Sequence, residues 1–152
     1  MQDFSQSLPM RLYRALNQVM PPFRAIFTAH GLTEAQWRVL RVLWERDAIG
    51  FGELAALTLL PAPSLVGIVD RMAARGWVTR ERSAADRRQV IVGVTADGRA
   101  LEREVMPAVE AAYRELRASI DDETWRALSR GLDALVVTAP ATLESATNEP
   151  IT

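Results

Sequence analysis

A chain of 152 residues, 49% hydrophobic and 24% charged, is sized for one soluble domain with a real core. It contains no cysteine, which excludes disulfides, thiolate metal sites, cysteine nucleophiles and thiol redox sensing; the single histidine, His30, argues against a histidine-rich metal site. The formal net charge of -1 hides an uneven spread: residues 71–100 carry 7 arginines against 3 acids, and residues 101–152 carry 5 against 10.

A basic segment on a slightly acidic chain suggests one face for an anionic partner. All 18 basic residues are arginine, a bias that genome composition alone can produce. The stretch MQDFSQSLP lacks the basic-then-apolar pattern of a signal peptide. The longest apolar run, Leu54 to Val69, is broken by Thr58, Pro61, Pro63, Ser64 and Gly67, so no membrane span is expected and a cytoplasmic location follows by default.

Residues 4–28 predict a helix, with Leu8, Leu12, Leu16, Val19, Phe23 and Phe27 at spacings of three and four. Pro21-Pro22 should kink or split it, and His30-Gly31 should end it. Thr33 with Gln36 makes a capping box for the next helix, whose apolar face is Trp37, Val39, Leu40, Leu43 and Trp44. A short helix follows from about Gly52 to Leu59. Pro61 and Pro63 start another, which runs to about Arg75 with Leu65, Ile68, Val69 and Met72 inward and Gly76 as its stop. Residues 77–82 and 89–95 predict two strands joined by Ser83 to Arg88. A long helix begins at Ala96 and should bend at Pro107. Asp121-Asp122 cap a last helix striped with Trp125, Leu128, Leu132 and Leu135. The tail from Pro140 has the composition of a frayed end.

The expected fold is mainly α with a β-hairpin wing: a winged helix-turn-helix over residues 33–95, flanked by dimerisation helices over 1–32 and 96–139, with 140–152 poorly ordered. The outer helices carry apolar stripes that one copy has little core to cover, so a homodimer is expected.

The hairpin tip reads Asp86-Arg87-Arg88. An arginine delivered there suits the narrow, strongly negative minor groove of A·T-rich DNA. Asp86 can pair with a guanidinium and hold it outward, with Arg87 on phosphate and Arg88 in the groove. The plainer alternative is a solvated hairpin with a surface ion pair.

The segments "ELAAL" (53–57), "PSLVGIVDRMAARGWVTRE" (63–81), "DRR" (86–88) and "VTADGRAL" (94–101) together resemble the multiple antibiotic resistance regulator (MarR) family. The likeness covers roughly residues 30 to 130, and its combination of motifs is specific. Within the family, "LTEAQWRVLRVL" (32–43) followed by "PSLVGIVDRM" is similar to the branch that includes the homoprotocatechuate-degradation repressor. The resemblance implies a homodimeric regulator, usually a repressor, on a pseudo-palindromic operator of double-stranded DNA, released by a small anionic aromatic ligand. It also implies that residues 61–75 form the recognition helix and that Asp86 and Arg88 are the wing's D-x-R.

One departure stands out. Many members carry polar or arginine residues where this chain has Val66 and Gly67, which helical phase turns outward. Val66 can meet a thymine methyl and Gly67 allows close approach, but neither makes a bidentate base contact. Pro63 lies at the same helix start. Ser64 reaches a phosphate or base edge, or is a helix cap. Arg71 and Arg75 contact phosphate, or serve as ion-pair partners, for instance of Asp70. By the resemblance, the ligand pocket lies where the first, second and long fifth helices meet. Its candidates are Phe23, Phe27, His30, Trp37, Arg38 and Arg41, with an aromatic wall and a planar cation suited to an aromatic acid. Trp37 can equally be plain core, and His30 a helix-end cap.

An enzyme is not expected. There is no glycine-rich phosphate loop, no histidine–carboxylate ligand set and no strained serine elbow, and no cofactor is implied. The run Asp121-Asp122-Glu123 sits at a helix start, where capping explains it. The alternative to a DNA-binding regulator is a winged-helix docking module without sequence-specific DNA binding, which the basic hairpin disfavours.

Overall fold

The computed structural model describes residues 3–86 and 88–138. These fall into two compact units, Met1–Ala112 and Tyr113–Thr152. Arg87 and the expected tail from Pro140 lie outside the described residues.

The first unit begins with a 3-10 turn, Phe4–Gln6, and then α1, Leu8–Ala29. The prolines at Pro21-Pro22 do not split α1, which runs through both. His30 caps its C-terminus and Gly31 leaves in the left-handed conformation, φ +68°. α2 is Glu34–Arg46, and its capping box is complete: Gln36 N–H donates to Thr33 Oγ1, and Thr33 N–H donates to Gln36 Oε1.

A strand the sequence does not reveal comes next, β1, Ala48–Gly50. It is followed by α3, Phe51–Thr58, and α4, Ala62–Ala74. The hairpin is β2, Val78–Arg82, and β3, Val90–Val94, paired antiparallel from Val78 with Val94 to Arg82 with Val90. β1 pairs on the far side of β3, giving the order β1-β3-β2. Three residues are too few for a periodic signal, and β1 exists only because β3 offers it a partner.

The core lies among α2, α3, α4 and the sheet. Leu40, Leu43, Leu54, Leu65, Val69, Met72 and Val92 are fully buried there. Truncating any of the leucines to alanine costs about 2–5 kcal/mol. α5, Ala96–Ala118, starts directly after β3. Thr95 Oγ1 accepts from Gly98 N–H and donates to the Gly76 carbonyl. Gly98 has no room for a side chain: a Cβ there would lie 2.3 Å from the Trp77 carbonyl oxygen. Its own carbonyl accepts from the buried indole N–H of Trp44 at 3.0 Å. The motif "VTADG" is thus a packed junction between sheet and helix.

Asp47 ends α2 at φ 58°, a conformation disfavoured for a residue with a Cβ. Three bonds hold it. Its N–H donates to the Leu43 carbonyl, its carbonyl accepts from Val94 N–H, and its carboxylate pairs with Arg99. Arg99 also donates to the Trp44 carbonyl and to Glu102. Glu102 first, then Asp47, raise the guanidinium above its ordinary value.

In the second unit α5 ends, and α6 spans Asp122–Thr138. Asp121 caps α6 through Thr124 N–H, and that bond holds its carboxyl below the usual range. Arg117 pairs with Asp122 and lies 5.1 Å over the Trp125 ring. Among the described residues no single helix is long and apolar enough to cross a membrane.

Candidate functional site

The wing tip is built by short side chains gripping the backbone. Ser83 N–H donates to the Gln89 carbonyl, closing the hairpin. Ser83 Oγ accepts from the N–H groups of Ala85 and Asp86. Asp86 Oδ1 accepts from Arg88 N–H at 3.0 Å. The acid therefore holds the backbone of Arg88 in an Asx turn. The expected carboxylate–guanidinium pair is not formed with Arg88. Arg88 is exposed and, among the described residues, its guanidinium has no partner.

α4 turns the predicted face outward. Leu65, Ile68, Val69 and Met72 are buried, while Pro63, Ser64, Val66, Asp70 and Arg71 are exposed. Ser64 is not the cap. Pro61 occupies the N-cap position without a side-chain bond, and Ser64 sits inside the first turn. This leaves the first-turn amides without a side-chain cap, the electropositive end of the helix dipole.

The arginines divide into two groups. Arg75 donates to the Gly31 carbonyl at 2.8 Å and stacks 4.7 Å over Trp77, so it braces the α1–α2 turn. Asp70 pairs with neither Arg71 nor Arg75. Its partner is Arg80 of β2, at 2.7 Å. Sequence reasoning missed Arg80, because the pair spans a helix and a strand. Arg71, like Arg88, has no partner among the described residues, and its guanidinium lies back over Gly67.

Between α4 and the wing runs an open groove of about 650 Å³. Val66 lines it on the helix side, Arg80, Arg88 and Gln89 on the wing side, and Phe51 and Glu53 at its end. Glu53 is offset by Arg46 at 3.3 Å. The helix face and the wing tip thus straddle a cleft with two guanidiniums along one wall, an arrangement that suits a polyanion.

The ligand candidates are partly brought together. Phe27 and Trp37 stack at 4.7 Å, and Trp37 meets Trp44 edge-on at 5.4 Å. Phe23, Phe27 and Trp37 are buried. His30 Nδ1 bonds to the Ile26 carbonyl, a helix-end role. Arg41 lies on α2 and pairs with Glu45 at 2.8 Å, remaining partly exposed. Arg38 is turned away to the Thr58 carbonyl, at the end of α3, with its Nε buried and unpartnered. A separate small cavity of about 320 Å³ is lined by Arg24, Phe27, Thr28, Leu32, Thr33 and Glu34, and touches only Phe27 of the candidates.

The sequence profile of the MarR family matches residues 30–89. The homoprotocatechuate degradative operon repressor of Escherichia coli is 35% identical over 130 residues, 86% of this chain and 88% of that protein. The crystal structure of NadR in complex with 4-hydroxyphenylacetate superposes with a TM-score of 0.75 at 29% identity, covering 92% of this chain and 99% of that one. BpsR of Bordetella bronchiseptica, whose DNA binding is regulated by 6-hydroxynicotinic acid, gives 0.80 at 26% identity, covering 90% and 97%.

Proposed function

The chain belongs to the MarR family of transcriptional regulators, and on that premise we propose that it is a homodimeric, ligand-responsive repressor of a pseudo-palindromic DNA operator. The observation that carries this is the pairing of two surfaces across one groove: the exposed face of α4, and a wing tip whose Arg88 is exposed, with a backbone fixed by Asp86 and a guanidinium that has no partner among the described residues. One phosphate strand fits between them, with α4 in the major groove and the wing in the adjacent minor groove. Pro63, Ser64, Val66, Gly67, Arg71, Asp86, Arg87 and Arg88 are the DNA-facing set, and Arg75 supports it from behind.

Residues 33–95 form the reading head in this proposal, and residues 1–32 and 96–139 the dimerisation region. Phe4, Leu8, Leu12 and Leu16 are exposed in the first unit, and Leu128, Leu132, Val136 and Val137 in the second. A second copy would cover such surfaces. The releasing ligand is a small anionic aromatic compound, of the class of the 4-hydroxyphenylacetate found in complex with NadR and the 6-hydroxynicotinic acid that regulates DNA binding of BpsR. The Phe27–Trp37 stack supplies an aromatic wall, Arg41 the cation, and Phe23 and His30 the flank. Ten- to hundred-fold release needs only about 1.4–2.8 kcal/mol of coupling.

The test is a fluorescence-anisotropy titration with DNA from upstream of the gene, a scrambled competitor and two salt concentrations. Selective binding that weakens steeply with salt is expected, and 4-hydroxyphenylacetate or a related aromatic acid should reverse it. Arg41→Gln should keep DNA binding and lose the reversal. No binding even at low salt would instead favour a docking module.

A further inference from the structure

The outward face of α4 presents a puzzle. In the DNA-reading role proposed above, its first two turns enter the major groove, yet their outward residues, Ala62, Pro63, Ser64, Val66 and Gly67, include no charged side chain. We infer that the base-reading cation at position 67 is supplied from Arg71, and that Gly67 is a specificity determinant because it leaves that place empty.

A helical side chain leans toward the N-terminus, over the turn that precedes it. Arg71 is four residues after Gly67, so its side chain passes over that position. A Cβ built on Gly67 would lie 3.3 Å from Arg71 Nη1, and no other side chain comes within 4 Å of it, chain neighbours aside. The guanidinium therefore sits where a residue-67 side chain would begin, one turn nearer the reading end than its own Cα. The neighbouring carboxylate does not draw it away. Asp70 is taken by Arg80 at 2.7 Å, and Arg71 has no partner among the described residues. Arg75, the other α4 arginine, is committed to Gly31 and Trp77. Arg71 thus brings a planar fork of free donors to the helix surface, the geometry that reads guanine O6 and N7 together.

A base contact and a phosphate contact leave different traces. The first carries sequence preference and little salt dependence; the second weakens all sequences alike and lowers the salt slope by about one. The experiment selects binders from a pool of random-sequence duplexes with the wild-type dimer, Arg71→Ala and Gly67→Leu, then measures selected duplexes at several salt concentrations. The wild type should show a guanine preference of about tenfold at one position in each half-site. Arg71→Ala should lose that preference with an unchanged salt slope. Gly67→Leu should lose it too, although Arg71 is retained, because the new side chain fills the guanidinium's place. Circular dichroism and melting confirm that both variants fold; leucine also favours the helix.

Uniform weakening by Arg71→Ala with a reduced slope would overturn the inference, as would a Gly67→Leu variant that keeps the guanine preference. Either result leaves the regulator itself standing. A wild type with no sequence preference at all would overturn the DNA-reading function and this inference with it.

Discussion

Arg80 on β2 holds Asp70 on α4 across 2.7 Å, so an ion pair ties the wing to that helix. Both side chains are substantially exposed, and such a pair contributes no more than about 1 kcal/mol. Its weight falls on geometry and charge. Asp70→Asn should change the unfolding free energy by less than about 1 kcal/mol. It removes a negative charge from the surface proposed to face DNA, so binding to scrambled duplex should strengthen while the ratio of operator to scrambled affinity falls. Anisotropy titrations with both duplexes check this, and an unchanged ratio would show that the pair does not align the two elements.

Arg88→Ala removes a guanidinium without a partner among the described residues, so the melting temperature should hold. A hydrogen bond to a charged group contributes about 1.5–3 kcal/mol, so operator affinity should drop roughly ten- to hundred-fold. Asp86 separates two ways of presenting that arginine. Asp86→Asn keeps the oxygen that accepts from Arg88 N–H and should keep affinity, whereas Asp86→Ala should lose part of it. Equal losses in the two variants would mean that the charge, not the turn, positions Arg88.

Leu59 closes α3 in the left-handed region, φ 53°, while 82% exposed. A side chain with a Cβ costs about 1–2 kcal/mol there, and asparagine tolerates the conformation better. Leu59→Asn should raise stability by about 0.5–1 kcal/mol in urea melts compared at equal protein concentration. A destabilised variant would show that Leu59 makes apolar contacts worth more than the strain.

Asp121 caps α6 with a carboxyl held below its usual range by Thr124 N–H. A depressed value means the folded state favours the ionised form. That contribution is full above the unfolded value of about pH 4 and is lost as pH falls through the folded one. Asp121→Ala should melt below the wild type at neutral pH, and the gap should narrow on acidification past about pH 4. A gap that stays constant with pH would assign the effect to helix propensity alone.

Local chemistry was what the sequence made legible. Thr33 and Gln36 announce α2 because a capping box needs only residues three apart, and the outward phase of Val66 and Gly67 follows from the buried set Leu65, Ile68, Val69 and Met72. What escaped depends on partners distant in the chain. β1 forms because β3 pairs with it, and Asp70 meets an arginine on a strand instead of one on its own helix. Asp86 suggested an ion pair with a neighbouring arginine, yet toward Arg88 the two-residue reach to the backbone amide is the easier bond for so short a side chain. Pro21-Pro22 signalled a kink or a split, and α1 is not split: it continues through both, with Phe23 and Phe27 of its last turns buried beyond them.

The contact at Gly98 bears on how α5 is joined to the wing. With the Trp77 carbonyl filling the space of an absent Cβ, and the Trp44 indole clamped to its own carbonyl, the first turn of α5 has no slack against β2. The first turn of α5 and the start of the strand that carries the wing are therefore packed as one piece. Substitution by even alanine would set a Cβ 2.3 Å from the Trp77 carbonyl oxygen, so helix and strand would have to part before the chain could close on itself.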